Sequence, residues 1–259
     1  MKRRSALRAP FLKRISLRPE RVDPNLFPFN RLGFLADPDF ALPFPNRVTF
    51  FVGENGSGKS TVLEAIAALC EFPVEGGAPD HRRAAAVDGQ RSRLADALRA
   101  AWLPRVRTGF FLRAESFFDL AAYIDEVGDI QNAYGGRELH AQSHGESVMA
   151  LLTNRLSDME QAIILMDEPE AALSPARQLA FLALLREWDA LETVQVIIAT
   201  HSPILLCYPG ATLYQFDADG IAETTVEETE HFRVTRGFLA NPERYLADLF
   251  DEPGAGDDR

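Results

Sequence analysis

Cysteine is scarce, with only Cys70 and Cys207 in 259 residues. Two thiols make neither a disulfide framework nor a zinc cluster, and so few of them suit a reducing compartment. No stretch approaches the roughly 18 uncharged apolar residues that a membrane span needs. The N-terminus is basic, but no apolar segment or small-residue cleavage site follows it, so no signal peptide is expected. Internal repeats, low-complexity tracts and Gly/Ser linkers are missing, and the chain reads as one domain over 1–259. Positive charge is short as well. The 27 Lys and Arg face 38 Asp and Glu, leaving −11, a balance that repels phosphate backbones and argues against a nucleic-acid coat. No DNA-binding motif is visible. With 46% hydrophobic and 25% charged residues, disordered and fibrous classes are excluded. A mass of 28.8 kDa buries a sizeable core without disulfides or metals. Together these features predict a soluble cytoplasmic protein.

The charge is uneven. Residues 1–21 hold eight Lys and Arg against Glu20, or +7, whereas 217–259 hold twelve acidic residues against four Arg, or −8. A basic arm can contact an anionic partner or be a solvated edge, and the composition favours the edge.

Ile15-Ser16-Leu17-Arg18 alternates as a half-buried strand does. Five prolines between 23 and 46 mark a loop interleaved with phenylalanines. Val48–Val52 reads as a buried strand ending at Gly53, and the stretch from Thr61 has helical spacing. One helix is predicted over Arg91–Trp102, a strand over Gly109–Leu112, and a helix over 116–126. Residues 127–145 read as a loop carrying Gly128, Gly135, Gly136 and Gly145; Val148, Leu151, Leu152 and Leu156 mark the amphipathic helix beyond it. Ala162–Met166 and Val196–Ala199 are continuous apolar runs, the pattern of parallel strands covered on both faces. Between them Pro175–Trp188 is a helix capped by Ser174, and 211–226 form a hairpin around Asp219-Gly220. Strands alternating with helices predict an α/β fold with a mainly parallel sheet.

The strongest chemical signal is Gly53-Glu54-Asn55-Gly56-Ser57-Gly58-Lys59-Ser60, a complete phosphate-binding loop at a strand-to-helix junction. Its glycines let backbone N–H groups turn around a polyphosphate, and the helix N-terminus adds its positive dipole end. Lys59 would reach the β- and γ-phosphates, the Ser60 hydroxyl would ligate Mg²⁺, and Thr61 is placed for a further phosphate. A second strand, Ile163–Met166, delivers Asp167 and Glu168 to its C-terminal end, where ligands bind in such sheets. Asp167 suits Mg²⁺, and Glu168 suits polarising an attacking water. A third strand ends at Thr200-His201, a histidine able to hydrogen-bond a γ-phosphate. Finally, Gln142-Ser143-His144-Gly145-Glu146-Ser147 opens a helix 167 − 147 = 20 positions before Asp167. Ser143, Gly145 and the helix start make a second anion site, suited to another subunit's nucleotide; the alternative is a plain capping box of Ser143 and Glu146.

In this order the chain resembles the ATP-binding cassette ATPases, over roughly residues 11–210. The resemblance implies a P-loop NTPase fold: α/β with a mainly parallel sheet, an N-terminal antiparallel β portion, a small helical lid with the signature region at about 72–160, and a C-terminal hairpin and helix over 211–259. It also implies Mg²⁺ and ATP as cofactors and a head-to-tail homodimer. In that dimer Ser143, Gly145 and Glu146 serve the partner's ATP, Glu168 is the catalytic base and His201 the switch histidine. The Glu168-Pro169-Glu170 form is similar to the RecF and structural-maintenance-of-chromosomes branch and to standalone "AAA family ATPase" proteins. Where the family carries a glutamine linking Mg²⁺ to the lid, this chain has Glu115, the candidate metal ligand there. Phe27 and Phe29 are candidates for stacking on adenine, with core packing as the other reading.

From Ser60 to Ser143 the offset is 143 − 60 = 83 positions, too short for coiled-coil arms. The expected function is therefore Mg²⁺-dependent ATP hydrolysis by a standalone switch acting on a protein or DNA partner in DNA maintenance or defence. The alternatives are the ATP-binding subunit of a membrane transporter and a nucleotide-dependent scaffold without turnover.

Overall fold

The computed structural model describes residues 7–73, 76–78, 92–117, 120–122, 143–155, 161–218 and 220–250. Six strands form one sheet in the order β5-β6-β7-β3-β8-β9. These are β3 (Val48–Gly53), β5 (Gly109–Arg113), β6 (Ala162–Asp167), β7 (Val194–Ala199), β8 (Thr212–Phe216) and β9 (Ile221–Thr224). Every pair is parallel except β8–β9, the predicted hairpin, whose register sets Tyr214 opposite Glu223. All six residues of β3, β6 and β7 are buried. That is why their sequences are unbroken apolar runs rather than alternating ones.

The pleat of these strands sorts their side chains into two cores. Phe50, Val52, Ile164, Met166, Val196 and Ile198 face one side, with Phe181, Leu185 and Trp188 of α4 (Pro175–Leu191). Phe51, Ile163, Leu165, Ile197 and Ala199 face the other, with Val62, Leu63 and Ile66 of α1 (Lys59–Leu69). Each such buried Leu, Ile or Phe contributes about 1.5–3 kcal/mol relative to exposure. The sheet is thus clamped between the helix that follows the phosphate loop and the helix that follows the acidic strand end. The Ser174 side chain accepts from the Arg177 N–H and Pro175 opens α4, as the sequence predicts.

The predicted N-terminal antiparallel portion is a three-stranded sheet, β2-β1-β4. It comprises β1 (Leu12–Leu17), β2 (Ala41–Pro43) and β4 (Leu98–Trp102), and it packs Leu12, Ile15, Leu42 and Leu98 onto the α1 side of the main sheet. Here one expectation is corrected. The helix predicted over Arg91–Trp102 is a single turn, α2 (Arg93–Asp96), capped by Ser92 and followed by strand β4. Leu98-Arg99-Ala100-Ala101-Trp102 has fair helix propensity, but β1 needs a partner on its open edge, and pairing of Ile15 with Ala100 overrides that weak local preference.

After β5, Phe117 and residues 120–122 are helical as predicted; residues 118–119 and 123–126 and the glycines at 128, 135 and 136 lie outside the described residues. The same is true of Gln142, of Leu156 and of nearly half of the expected lid. Helix α3 (His144–Ala150) continues as a wider π-type turn over Leu151–Arg155 and buries Val148, Leu151 and Leu152. The short α5 (Pro203–Leu206) follows β7. Helices α6 (Glu230–Ala240) and α7 (Pro242–Phe250) follow the hairpin and bury none of their own residues. Among the described residues no helix is long and apolar enough to cross a membrane.

Candidate functional site

The C-terminal ends of β3, β6 and β7 lie side by side, because β7 pairs with both of the other two strands. Each end carries one part of the expected site, and the parallel order alone brings them together.

At the end of β3 the loop turns through three glycines with left-handed backbones, Gly53 (φ 150°), Gly56 (φ 80°) and Gly58 (φ 100°). At Gly53 a Cβ would sit 2.1 Å from the Phe216 carbonyl oxygen, so β8 walls the loop and only glycine fits. A Cβ on Gly56 would meet nothing within 4 Å, so the loop is open on that side. Ser57 Oγ is buried and has no hydrogen-bond partner among the described residues. Lys59 is buried, and its Nζ donates to the carbonyls of Gly53 (2.7 Å) and Glu54 (2.9 Å). Burial pulls its pKa below the usual lysine value against the pull of Glu168 and Asp167.

At the end of β6, Asp167 Oδ1 accepts from Ser60 Oγ at 2.9 Å. Burial pushes the Asp167 carboxyl up to about 6, opposed by the Ser60 hydroxyl and by Arg113. One hydroxyl beside one carboxylate is a donor set for Mg²⁺, which takes a few protein oxygens and completes its octahedron with water and phosphate. The open glycine loop, the orphaned Ser57 hydroxyl and this oxygen pair fit a Mg²⁺-nucleotide.

Glu168 follows in the left-handed region (φ 50°), a conformation that costs a non-glycine residue of order 1 kcal/mol or more. Its backbone N–H is tied to Ala199 O at 2.9 Å, which holds the bend. The bend turns the carboxylate toward His201, with Oε1 at 3.4 Å from Nε2. The His201 backbone N–H donates to Glu170 Oε1 at 2.6 Å. Burial and the nearby Lys59 charge lower the His201 pKa, favouring the neutral ring. Burial raises the Glu170 pKa.

The remaining expected residues are placed differently. Glu115 is 88% exposed and is linked to Asp167 through Arg113, which lies 3.7 Å from Glu115 and 3.9 Å from Asp167. Ser143 opens α3, and its N–H and Oγ both hydrogen-bond Glu146 Oε2, at 3.0 and 2.7 Å, in a capping box. These bonds hold the Glu146 pKa below its ordinary value. Arg177 of α4 reaches the same pair, 3.4 Å from Ser143 Oγ and 3.3 Å from Glu146. Gly145 is packed so closely that a Cβ would lie 2.6 Å from Ala172 O. Of the two phenylalanines, Phe29 packs against the core and Phe27 is 59% exposed.

Three residues that sequence reasoning missed stand at the site. Arg113 ends β5 beside Asp167 and makes a 2.9 Å ion pair with Glu64 of α1. Glu170 anchors the His201 backbone. His231, from α6, has Nε2 at 2.9 Å from His201 Nδ1. Glu170 stands in the Glu168-Pro169-Glu170 form read from the sequence, but nothing local announces that it or His231 meets His201.

Two family models match the chain: "AAA domain" over residues 31–90, which takes in the phosphate loop, and "AAA domain, putative AbiEii toxin, Type IV TA system" over 84–206, which takes in Ser143, Asp167 and His201. A curated relative from Mycobacterium tuberculosis, "Uncharacterized ABC transporter ATP-binding protein Rv2326c", is 31% identical over 156 residues. That match covers 58% of this chain and 22% of the relative, so this chain spans about a fifth of that protein's length. "Petrobactin import ATP-binding protein FpuD" of Bacillus anthracis is 24% identical over 201 residues, 70% of this chain and 73% of the relative. The chain is thus similar to AAA domains over these two stretches and to proteins named as ATP-binding components of import and ABC transport systems. Among solved structures, "cbiO1 from clostridium perfringens: Part of the ABC transporter complex cbiONQ" is 16% identical with a TM-score of 0.47, covering 83% of this chain and 91% of that one.

Proposed function

We propose that this chain binds and hydrolyses ATP with Mg²⁺ and works as a cytoplasmic, standalone switch on a protein or DNA partner. The observation that carries the reading is the Glu168 carboxylate. It stands one residue past the Ser60–Asp167 oxygen pair and 3.4 Å from His201 Nε2, at the phosphate end of the glycine loop. Mg²⁺ held by Ser60 and Asp167 would supply neutralisation of the phosphate charge. The chain's own residues supply the rest. The loop N–H groups, Ser57 Oγ and Lys59 bind and orient the triphosphate. Ser60 and Asp167 hold the metal, Glu168 orients and polarises water, and His201 donates to the terminal phosphate. Neither Glu115 nor Phe27 is needed for that chemistry; they remain the candidates for a water-mediated metal contact and for adenine stacking.

We further propose that turnover needs two copies arranged head to tail, with Ser143, Gly145 and Glu146 of one copy against the ATP of the other. The Ser143 capping box would then open its Oγ to the partner's nucleotide. A light-scattering mass of the Glu168→Gln protein with and without Mg-ATP tests this. A doubling with ATP alone is expected; an unchanged mass despite bound ATP removes Ser143, Gly145 and Glu146 from the mechanism. Ser143→Arg should leave nucleotide binding intact while blocking dimerisation and turnover.

A transporter subunit is the second reading, and the relatives' names favour it: one is named for petrobactin import, and "Molybdenum import ATP-binding protein ModC" of Mesorhizobium japonicum is 28% identical over 171 residues, 60% of this chain and 45% of that one. The family description with "AbiEii toxin" and "Type IV TA system" points instead toward defence. Turnover that rises only with a membrane partner would decide for transport. A single-turnover assay separates both from a scaffold that binds ATP without cleaving it.

A further inference from the structure

The part of the site that the hydrolysis scheme does not use is His231, the second imidazole beside His201. His231 Nε2 and His201 Nδ1 are 2.9 Å apart, with ring centroids at 5.0 Å and planes inclined by 50°. The His231 side chain is 15% exposed; its Nδ1 is buried and has no hydrogen-bond partner among the described residues. It comes from α6, a helix that buries none of its residues, so this contact is not a by-product of core packing.

Two nitrogens at that separation share one proton: one ring supplies the N–H and the other a lone pair. Suppose His201 were the donor. A neutral His201 would then carry its proton on Nδ1, leaving an Nε2 lone pair 3.4 Å from the Glu168 oxygen. Two lone pairs would face each other there, and the ring could not donate to a phosphate. With His231 Nε2–H as donor, His201 Nδ1 accepts and its single proton sits on Nε2, aimed at Glu168 and the phosphate end. Coulomb repulsion decides between the two arrangements. Glu54 Oε1 lies 3.9 Å from the same His231 Nε2, and a carboxylate near that nitrogen favours a proton on it.

We propose that His231 is a positioning residue: its Nε2–H holds His201 in the tautomer that carries the proton on Nε2, making α6 part of the hydrolytic site. The catalytic consequence rests on the ATPase reading above, whereas the pairing itself does not. Partners that fix the far nitrogen of a metal-ligating histidine set its tautomer and direction, and losing one typically costs about tenfold to a hundredfold in affinity or activity; the same scale is expected for His201.

The pairing is tested on the full-length, nucleotide-free protein by long-range ¹H–¹⁵N spectra of its histidines, assigned with His201→Gln and His231→Gln. His201 should show the Nε2–H tautomer, and His231→Leu should turn that into a mixture. An Nδ1–H tautomer at His201, or a spectrum unmoved by His231→Leu, overturns the proposal. The consequence is tested with Mg-ATP. His231→Leu should lower kcat about tenfold to a hundredfold and shift the ATP Kd less than about threefold. In His231→Gln the side-chain amide N–H can donate to the same Nδ1, so this variant should recover most of the loss. A wild-type kcat in His231→Leu, or no recovery in His231→Gln, counts against the pairing. A wild-type chain that never turns over ATP would instead refute the ATPase reading, and the spectra would still decide the tautomer.

Discussion

The glycine loop at 53–60 and the segment at 143–147 are both turns entering a helix, both rich in Ser and Gly, and they differ in where their polar atoms point. In the first, Gly56 faces open space and Ser57 Oγ has no partner among the described residues. In the second, Ser143, Glu146 and Arg177 satisfy one another, and Gly145 is pressed against Ala172. The first is a surface prepared for something it does not itself supply. The second is closed within the chain and must give up bonds before it can serve a neighbour. A phosphate site is therefore better recognised by donors left without partners than by a Ser-Gly pattern.

The largest break in this contrast should come from Lys59→Ala, which removes the only ammonium of the loop. ATP affinity should fall about a hundredfold or more, roughly 3 kcal/mol, in a calorimetric titration; binding within threefold of wild type would mean the loop is not the nucleotide site. Next is Asp167, whose carboxyl titrates at about 6 in the folded protein against about 3.9 unfolded. The folded state binds that proton more tightly, so ionising the group costs stability. The cost is full above pH 6, fades as pH falls, and is gone below about 4. In metal-free protein, Asp167→Asn should therefore gain on wild type by up to about 3 kcal/mol between pH 4 and 7, read by urea unfolding. A pH-independent difference would remove the buried-charge explanation.

On the closed side the effects should be smaller. Gly145→Ala puts a Cβ 2.4 Å from Arg177 Nη1 and 2.6 Å from the Ala172 carbonyl oxygen. The arginine can swing away but the backbone cannot, and a loss of about 1–3 kcal/mol is expected. Equal stability would show that the packing there is loose. Ser143→Ala, which deletes one cap bond, should cost about 1 kcal/mol or less and leave ATP affinity unchanged. If turnover collapses in that variant with little loss of stability, the segment does more than cap its helix.

Much of this arrangement was legible in the residues. Strands β3, β6 and β7 were readable because burial on both faces demands unbroken apolar runs. The phosphate loop was readable because its geometry admits so few residues. Strand β4 was not, since Ala100 and Ala101 carry a helical preference that only the distant edge of β1 reverses. The left-handed bend at Glu168 was equally hidden: no glycine marks it, and it is held by a hydrogen bond to Ala199 on the neighbouring strand. Arg113, Glu170 and His231 acquire their places from elements packed beside them. The role of Glu115 came from family resemblance alone and that of Ser143 from a Ser-Gly helix start, and local geometry gives each an internal partner.

Strand β3 sits between β7 and β8, and the wall under Gly53 is the carbonyl of Phe216. The interval is 216 − 53 = 163 positions, about 8–30 s of synthesis at ordinary ribosomal speed. A chain still being made has its entire phosphate motif outside the ribosome well before the loop has a floor to rest on. A nucleotide could act as a template for this fold only after β8, the last parallel strand, has been made and has slid into place beside β3.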